Sequence, residues 1–289
     1  MPSRSVQTLI LAFGLTLGLR AQIITTAAGS SAWGAPLDVA LDAAGNLYVA
    51  DYAGHAVYKI DRLANTTTIA GTTGKPGFSG DGGLATAALL SGPTSVAVDA
   101  AGNIYISESN NARIRKVGTN GIITTFAGTG IAGFLGDGGQ ASAARFNFIL
   151  KMMLDGQGNL YLCDYSNYRI RKISTTGIVS TIAGTGTPGS TGDGGLAKVA
   201  DISPSSLFVA TDGTVYFSEG FRTNPAAPKV RKITTDGILT TIAGTGARSD
   251  AGAKLQSMGS SLPTRELARV GWQGTVGLLK APKSTGPWA

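Results

Sequence analysis

The sequence has one cysteine, Cys163, and one histidine, His55, in 289 residues. A single thiol makes no intramolecular disulfide and no thiolate metal site. One imidazole without cysteine partners is equally a poor start for a zinc site. A serine triad would need His55 as its base, and no G-x-S-x-G elbow accompanies it. Helical periodicity is missing too, which excludes helical and leucine-rich solenoids. The apolar run Thr8 to Leu19 is 12 residues long, well short of the roughly 20 that cross a bilayer as a helix.

What the chain has in abundance is glycine, and it is placed periodically. Gly45, Gly102, Gly158 and Gly213 stand 57, 56 and 55 residues apart, and each is followed by Asn or Thr and then a short apolar run. A second marker, the AGTG-like run at Ala70, Ala127, Ala183 and Ala243, keeps nearly the same period. A fixed period of this size means stacked supersecondary units, none of which buries its apolar faces alone.

Within one unit the pattern is of strands. In the central copy Pro93 to Asp99 (PTSVAVD) is a β-branched run, Ala100 to Asn103 is turn chemistry, and Ile104 to Glu108 is a second run. Arg113 to Val117 (RIRKV) and Ile122 to Ala127 (IITTFA) follow, separated by the Thr119-Asn120-Gly121 turn. Four short antiparallel strands per unit is the organisation of a propeller blade, so the fold class predicted is an all-β propeller. Complete blades are expected near Pro36 to Ala70, Pro93 to Ala127, Phe148 to Ala183 and Pro204 to Ala243.

The GN(L/I)Y(V/I)-x-(D/E) segment, the RIRK(V/I) strand and the TT-x-AGTG close resemble NHL repeats over about residues 23 to 246. The FSGDGG and GFLGDGG loops are similar to those of long-loop, exported bacterial members. The resemblance implies a propeller, usually six-bladed, that serves more often as a binding module than as an enzyme. It also implies that lyase relatives hold a metal at the central channel largely through histidines, of which this chain has only His55.

The ends read differently from the repeats. Arg4, the apolar run and Leu19-Arg20-Ala21 form a signal peptide over residues 1–21, with a buried N-terminal strand as the alternative. The chain is therefore expected outside the cytoplasm, periplasmic or extracellular. Ile23 to Gly29 (IITTAAG) matches the last strand of a blade and is expected to close the ring by pairing with the final blade. Residues 247–289 lack the RIRK and AGTG elements. They are a degenerate fifth blade, a disordered tail or the product of a shifted reading frame. If the ring is incomplete, the open blade faces predict self-association.

Charge points the same way. The whole chain carries 24 basic and 17 acidic residues, but Ile23 to Gly246 holds 16 and 15. A near-neutral propeller lacks the electrostatic footprint of a nucleic-acid binder.

Two recurring sets of residues are candidate sites. Strand two ends in an acid, and five residues after Glu108 and Asp164 the third strand opens with Arg113 and Arg169, which predicts structural ion pairs Glu108 with Arg113 and Asp164 with Arg169. Asp81, Asp137 and Asp193 recur in the GDGG loops, with Phe78 and Phe134 beside the first two. The glycines let the backbone approach closely, and one acid per loop favours a plain turn, with an oxygen-lined calcium loop as the alternative. These five residues form the rim expected to meet a protein or glycan partner, without a cofactor. Cys163 falls in a small-residue column with Ala50, Ser107 and Ser218 and reads as packing; His55 reads as a surface turn. The favoured function is a non-catalytic binding or scaffolding module. The alternative is a propeller lyase or hydrolase that uses acidic residues around the channel.

Overall fold

The computed structural model describes residues 33–220 and 228–244. The expected signal peptide, the closing strand at Ile23 to Gly29 and the 247–289 tail lie outside these residues.

Each repeat folds as one antiparallel meander. The first blade comprises β1 (Pro36–Leu41), β2 (Leu47–Asp51), β3 (Ala56–Ile60) and β4 (Thr66–Ala70). The second comprises β5 (Pro93–Val98), β6 (Ile104–Glu108), β7 (Arg113–Val117) and β8 (Ile123–Ala127). The third comprises β9 (Ile149–Leu154), β10 (Leu160–Asp164), β11 (Arg169–Ile173) and β12 (Val179–Ala183). The fourth comprises β13 (Pro204–Val209), β14 (Val215–Glu219), β15 (Lys229–Ile233) and β16 (Leu239–Ala243). Among the described residues the result is a propeller of four four-stranded sheets.

The repeated Gly-Asn turn has a specific cause. Gly102 takes φ +88°, which a side chain would resist, and donates its N–H to Asp99. The Asp99 carboxylate accepts the backbone N–H of Asn103 at 2.8 Å, its side-chain amide at 2.8 Å and the Tyr105 hydroxyl at 3.3 Å. Partial burial pushes the Asp99 carboxyl up, but those hydrogen bonds outweigh it and hold the group below its ordinary value. Burial and the adjacent carboxylate push Tyr105 up to about 12. Asp42 with Asn46, and Asp155 with Asn159, repeat the turn lock; the fourth blade has Ala210 and Thr214, keeps the two backbone bonds, and has Asp212 accept the Thr214 N–H at 2.9 Å.

The inner strands β1, β5, β9 and β13 pack successively on one another, and among the described residues no comparable contact joins β13 back to β1. Alternation along each strand sends one set of side chains to each neighbour. Tyr48, Ala50 and Val57 thus meet Val96, Ile106 and Val117 between the first two blades. Ala97, Ile114 and Ala127 meet Met152, Leu162 and Ile173 between the next two. Tyr161, Cys163 and Ile170 meet Leu207, Val215 and Phe217 in the last. No helix among the described residues is long and apolar enough to cross a membrane.

Candidate functional site

The long loops between blades do not hang free. After β4 the chain crosses to the outer edge of the second blade, where Gly82 donates to Ile123 and Ile123 donates back to Gly83. The same exchange joins Gly138 and Gly139 to Val179, and Gly194 and Gly195 to Leu239. Each loop therefore covers the outermost strand of the blade that follows it, an edge that would otherwise invite pairing. Glycine is required where the crossing is tightest. A Cβ on Gly80, Gly136 or Gly192 would lie 2.7, 2.7 or 2.5 Å from Ala88, Ala144 or Ala200.

The GDGG aspartates fix this crossing. Arg115, wholly buried, reaches Asp81 at 2.6 Å with one nitrogen and Glu108 at 3.1 Å with another. Arg171 does the same with Asp137 at 2.7 Å and Asp164 at 3.5 Å, and Arg231 with Asp193 at 2.9 Å and Glu219 at 3.3 Å. One guanidinium thus joins a loop carboxylate to the carboxylate that ends strand two. Thr125 and Thr241 also donate to Asp81 and Asp193, at 2.6 and 2.7 Å. The three aspartates anchor their loops to the blade that follows. Among the described residues no three of His, Cys, Asp and Glu gather as a metal set.

The expected pairing of Glu108 with Arg113 and Asp164 with Arg169 is corrected. These residues do stand opposite each other across the strands, but the ion pairs are made two positions further on. Positions i and i+2 of a strand share a face, so Arg113 and Arg115 both point to the loop. The inner one takes the acids. Arg113 instead lies over the Phe78 ring, 4.0 Å from its centroid, and donates to Thr129 of the next loop at 2.8 Å. Arg169 lies 3.7 Å over Phe134 and donates to Thr185. Phe78 and Phe134 remain 43% and 42% exposed, so each ring is clamped from beneath and open above. In the fourth blade both members change together, to Ser190 and Lys229, and Lys229 donates to the Ser190 carbonyl at 3.3 Å.

Burial raises two of the acids that end strand two. Asp164 is pushed up to about 6 by desolvation, against hydrogen bonds from Asn147 and Asn167 and the charge of Arg171. Glu108 is raised for the same first reason. Cys163 is fully buried, and burial pushes its thiol far up, which fits packing and not nucleophilic attack. His55 takes φ +54° in the turn between β2 and β3, where Ala112 and Tyr168 stand in later blades, and its Nδ1 accepts the Gly92 N–H at 3.2 Å.

One constellation escaped the sequence reading. On the inner strands, Asp38 accepts the Lys151 ammonium at 2.5 Å, the Ser95 hydroxyl at 2.5 Å and the Val96 N–H at 3.2 Å. Asp38 and Lys151 occupy the same column of β1 and β9, and only their charge among neutral neighbours could have marked them. A groove of about 800 Å³ also opens between the third and fourth blades at the opposite rim, with Lys172, Ile182 and Asp212 among its walls. Phe126 of the preceding blade junction, packed edge-on against Tyr105, is replaced there by Ile182.

Residues 37–133 match a family model described as the Teneurin NHL domain. The chain is similar to Teneurin-m of Drosophila melanogaster, 33% identical over 108 residues, an alignment that covers 33% of this chain and 4% of that protein. The match thus spans a small fraction of the curated relative's length. Among solved structures the chain is similar to a protein of unknown function from Bacteroides thetaiotaomicron, at a TM-score of 0.53 and 23% identity over 68% of this chain and 46% of that one. It is similar also to an auxiliary nutrient binding protein from Bacteroides ovatus, at 0.52 and 16% over 74% and 48%. At these identities the structural likeness speaks for the fold alone.

Proposed function

The chain is an NHL-repeat β-propeller, and from that premise we propose that it is an exported, non-catalytic binding module whose long-loop rim holds a protein or glycan partner. One observation carries the reading: Phe78 and Phe134 present half-exposed rings on the same rim of consecutive blades, each held from below by a guanidinium. An aromatic surface fixed in advance loses little entropy on binding, and it offers its open face to a sugar ring or an apolar side chain. The acids that hydrolysis would call on are committed elsewhere. Glu108, Asp164 and Glu219 neutralise buried arginines, and Asp38 is held by Lys151.

The rim is also stiff. Arg113 ties Phe78 of one loop to Thr129 of the next, and Arg169 ties Phe134 to Thr185. Loop is locked to loop around the rim, as a surface that recognises without rearranging would require. Self-association through the terminal blades belongs to the same proposal, and light scattering that shows a monodisperse monomer at all concentrations would remove that part.

The test uses the full chain, immobilised and presented to a glycan array and to extracellular protein libraries. Phe78→Ala combined with Phe134→Ala should abolish capture with the far-ultraviolet circular dichroism unchanged. Capture that survives the double substitution overturns the assignment of this rim.

A further inference from the structure

The charged group on the propeller's inner strands sits where a side chain is deliberately aimed. In every blade the pairing of the first two strands slips just before one position: between Pro36 and Asp38, between Pro93 and Ser95, beside Lys151 and between Pro204 and Ser206. A bulge of this kind re-aims the residue that follows it. The four re-aimed residues are Asp38, Ser95, Lys151 and Ser206. The first three meet, although 113 residues separate the outer two.

The contact skips a blade. Lys151 of β9 reaches Asp38 of β1 at 2.5 Å, and Ser95 of the intervening β5 donates to the same carboxylate while it accepts the Met152 N–H at 2.9 Å. Asp38 is 5% exposed and the Lys151 side chain 24%. Every partner in the group is therefore engaged, across three blades at once.

A buried ion pair is a weak source of stability, because desolvation offsets most of the attraction, and its best-attested use is to specify one arrangement among alternatives. This fold has an acute need of that. Its second, third and fourth blades share the buried arginine and the GDGG loop that it grips, and repeats so alike are prone to pair with the wrong neighbour or with another copy. The apolar columns differ from blade to blade in the size of the side chain, as in Val96, Met152 and Leu207 of one column. An acid present only in the first inner strand and a lysine present only in the third mark their blades by charge.

We infer that Asp38, Ser95 and Lys151 form a blade-order key: a cross-blade contact satisfied only when the first, second and third blades assemble in sequence from one chain. Swapped or slipped blades would set Asp38 against Ser206 or against a second aspartate, and would leave a charge buried without its partner.

The experiment replaces both charges at once, Asp38→Ser with Lys151→Met, so that no unpaired ion is left to unfold the chain. Full-length protein and variant are denatured, refolded over a tenfold range of concentration, and sized by chromatography with light scattering. The variant should keep its melting temperature within a few degrees, yet recover its starting size several-fold less often, with larger species growing with concentration. Equal recovery overturns the inference, whether or not the melting temperature falls. A variant that loses stability but refolds to its starting size would show the group to be an ordinary structural contact.

Discussion

The first blade and the three that follow it solve one problem in two ways. In the later blades the acid that ends strand two is neutralised by a buried arginine, which also grips the aspartate of the incoming loop. In the first blade the arginine column holds Tyr58, and Asp51 instead accepts three backbone N–H groups, from Gly34 at 2.9 Å, Ala35 at 2.7 Å and Gly54 at 3.0 Å. Trp33, in the column of Leu90 and Phe146 three residues before the first strand of the blade, stacks on Tyr58 at 5.6 Å, as Phe146 lies over Arg171 at 5.1 Å. Among the described residues the arginine occurs wherever a GDGG loop arrives and nowhere else. The comparison teaches that the arginine exists for the loop, and the strand-end acid will take whichever donors are nearby.

The strongest way to break this comparison is to remove the double-ended cation. Arg171→Ala leaves Asp164 buried without its cation, held only by the Asn147 N–H and the Asn167 amide, and should cost about 3–5 kcal/mol in urea unfolding. A cost below about 1 kcal/mol would mean that backbone donors suffice, as they do around Asp51.

Acid should act next, and in an unfamiliar direction. Asp164 is raised to about 6 in the fold, against roughly 3.9 in an unfolded chain. The folded state then binds its proton first, so this group makes the protein more stable as pH falls from about 6 towards 4, by up to about 3 kcal/mol. Asp164→Asn should flatten that limb of the stability curve. Asp42, Asp99 and Asp155 work the other way: the turn bonds lower them, and the stability they lend disappears as pH falls through their depressed values.

Cutting the loop end alone is milder, since Asp137 is partly exposed. Asp137→Ala should cost about 1 kcal/mol, with faster amide exchange at Gly138 and Gly139 and unchanged exchange in β10. Equal acceleration in both would make loop and blade one unit. The smallest change belongs to the first blade. Tyr58→Phe removes only the hydroxyl bond to Thr73 at 3.2 Å, and should lower stability by about 0.5–1 kcal/mol in the same unfolding assay.

The strands were readable because their punctuation repeats. Asp, Gly, Asn and Tyr at fixed offsets lock the first turn, so the copies aligned themselves, and the second, third and fourth blades end where the repeat places them. The clamp was half readable. The acids and the GDGG aspartates stood out as columns, but Arg113 and Arg115 lie on one strand face, and only the depth of each side chain decides which meets the acid. Asp81 finds its arginine 34 residues downstream, in another blade. The Asp38 and Lys151 contact was invisible to a method that looks for repetition, since its meaning lies in its being unrepeated.

Because each loop is delivered forward, the piece of this chain that could be copied intact does not coincide with a blade. Duplicating Pro93 to Ala127 would yield four strands whose Arg115 has no aspartate to hold. Duplicating Gly71 to Ala127 yields strands and anchor together. The inheritable module is a linker with the sheet behind it, and the first blade, with Tyr58 where the others carry their arginine, departs from that module.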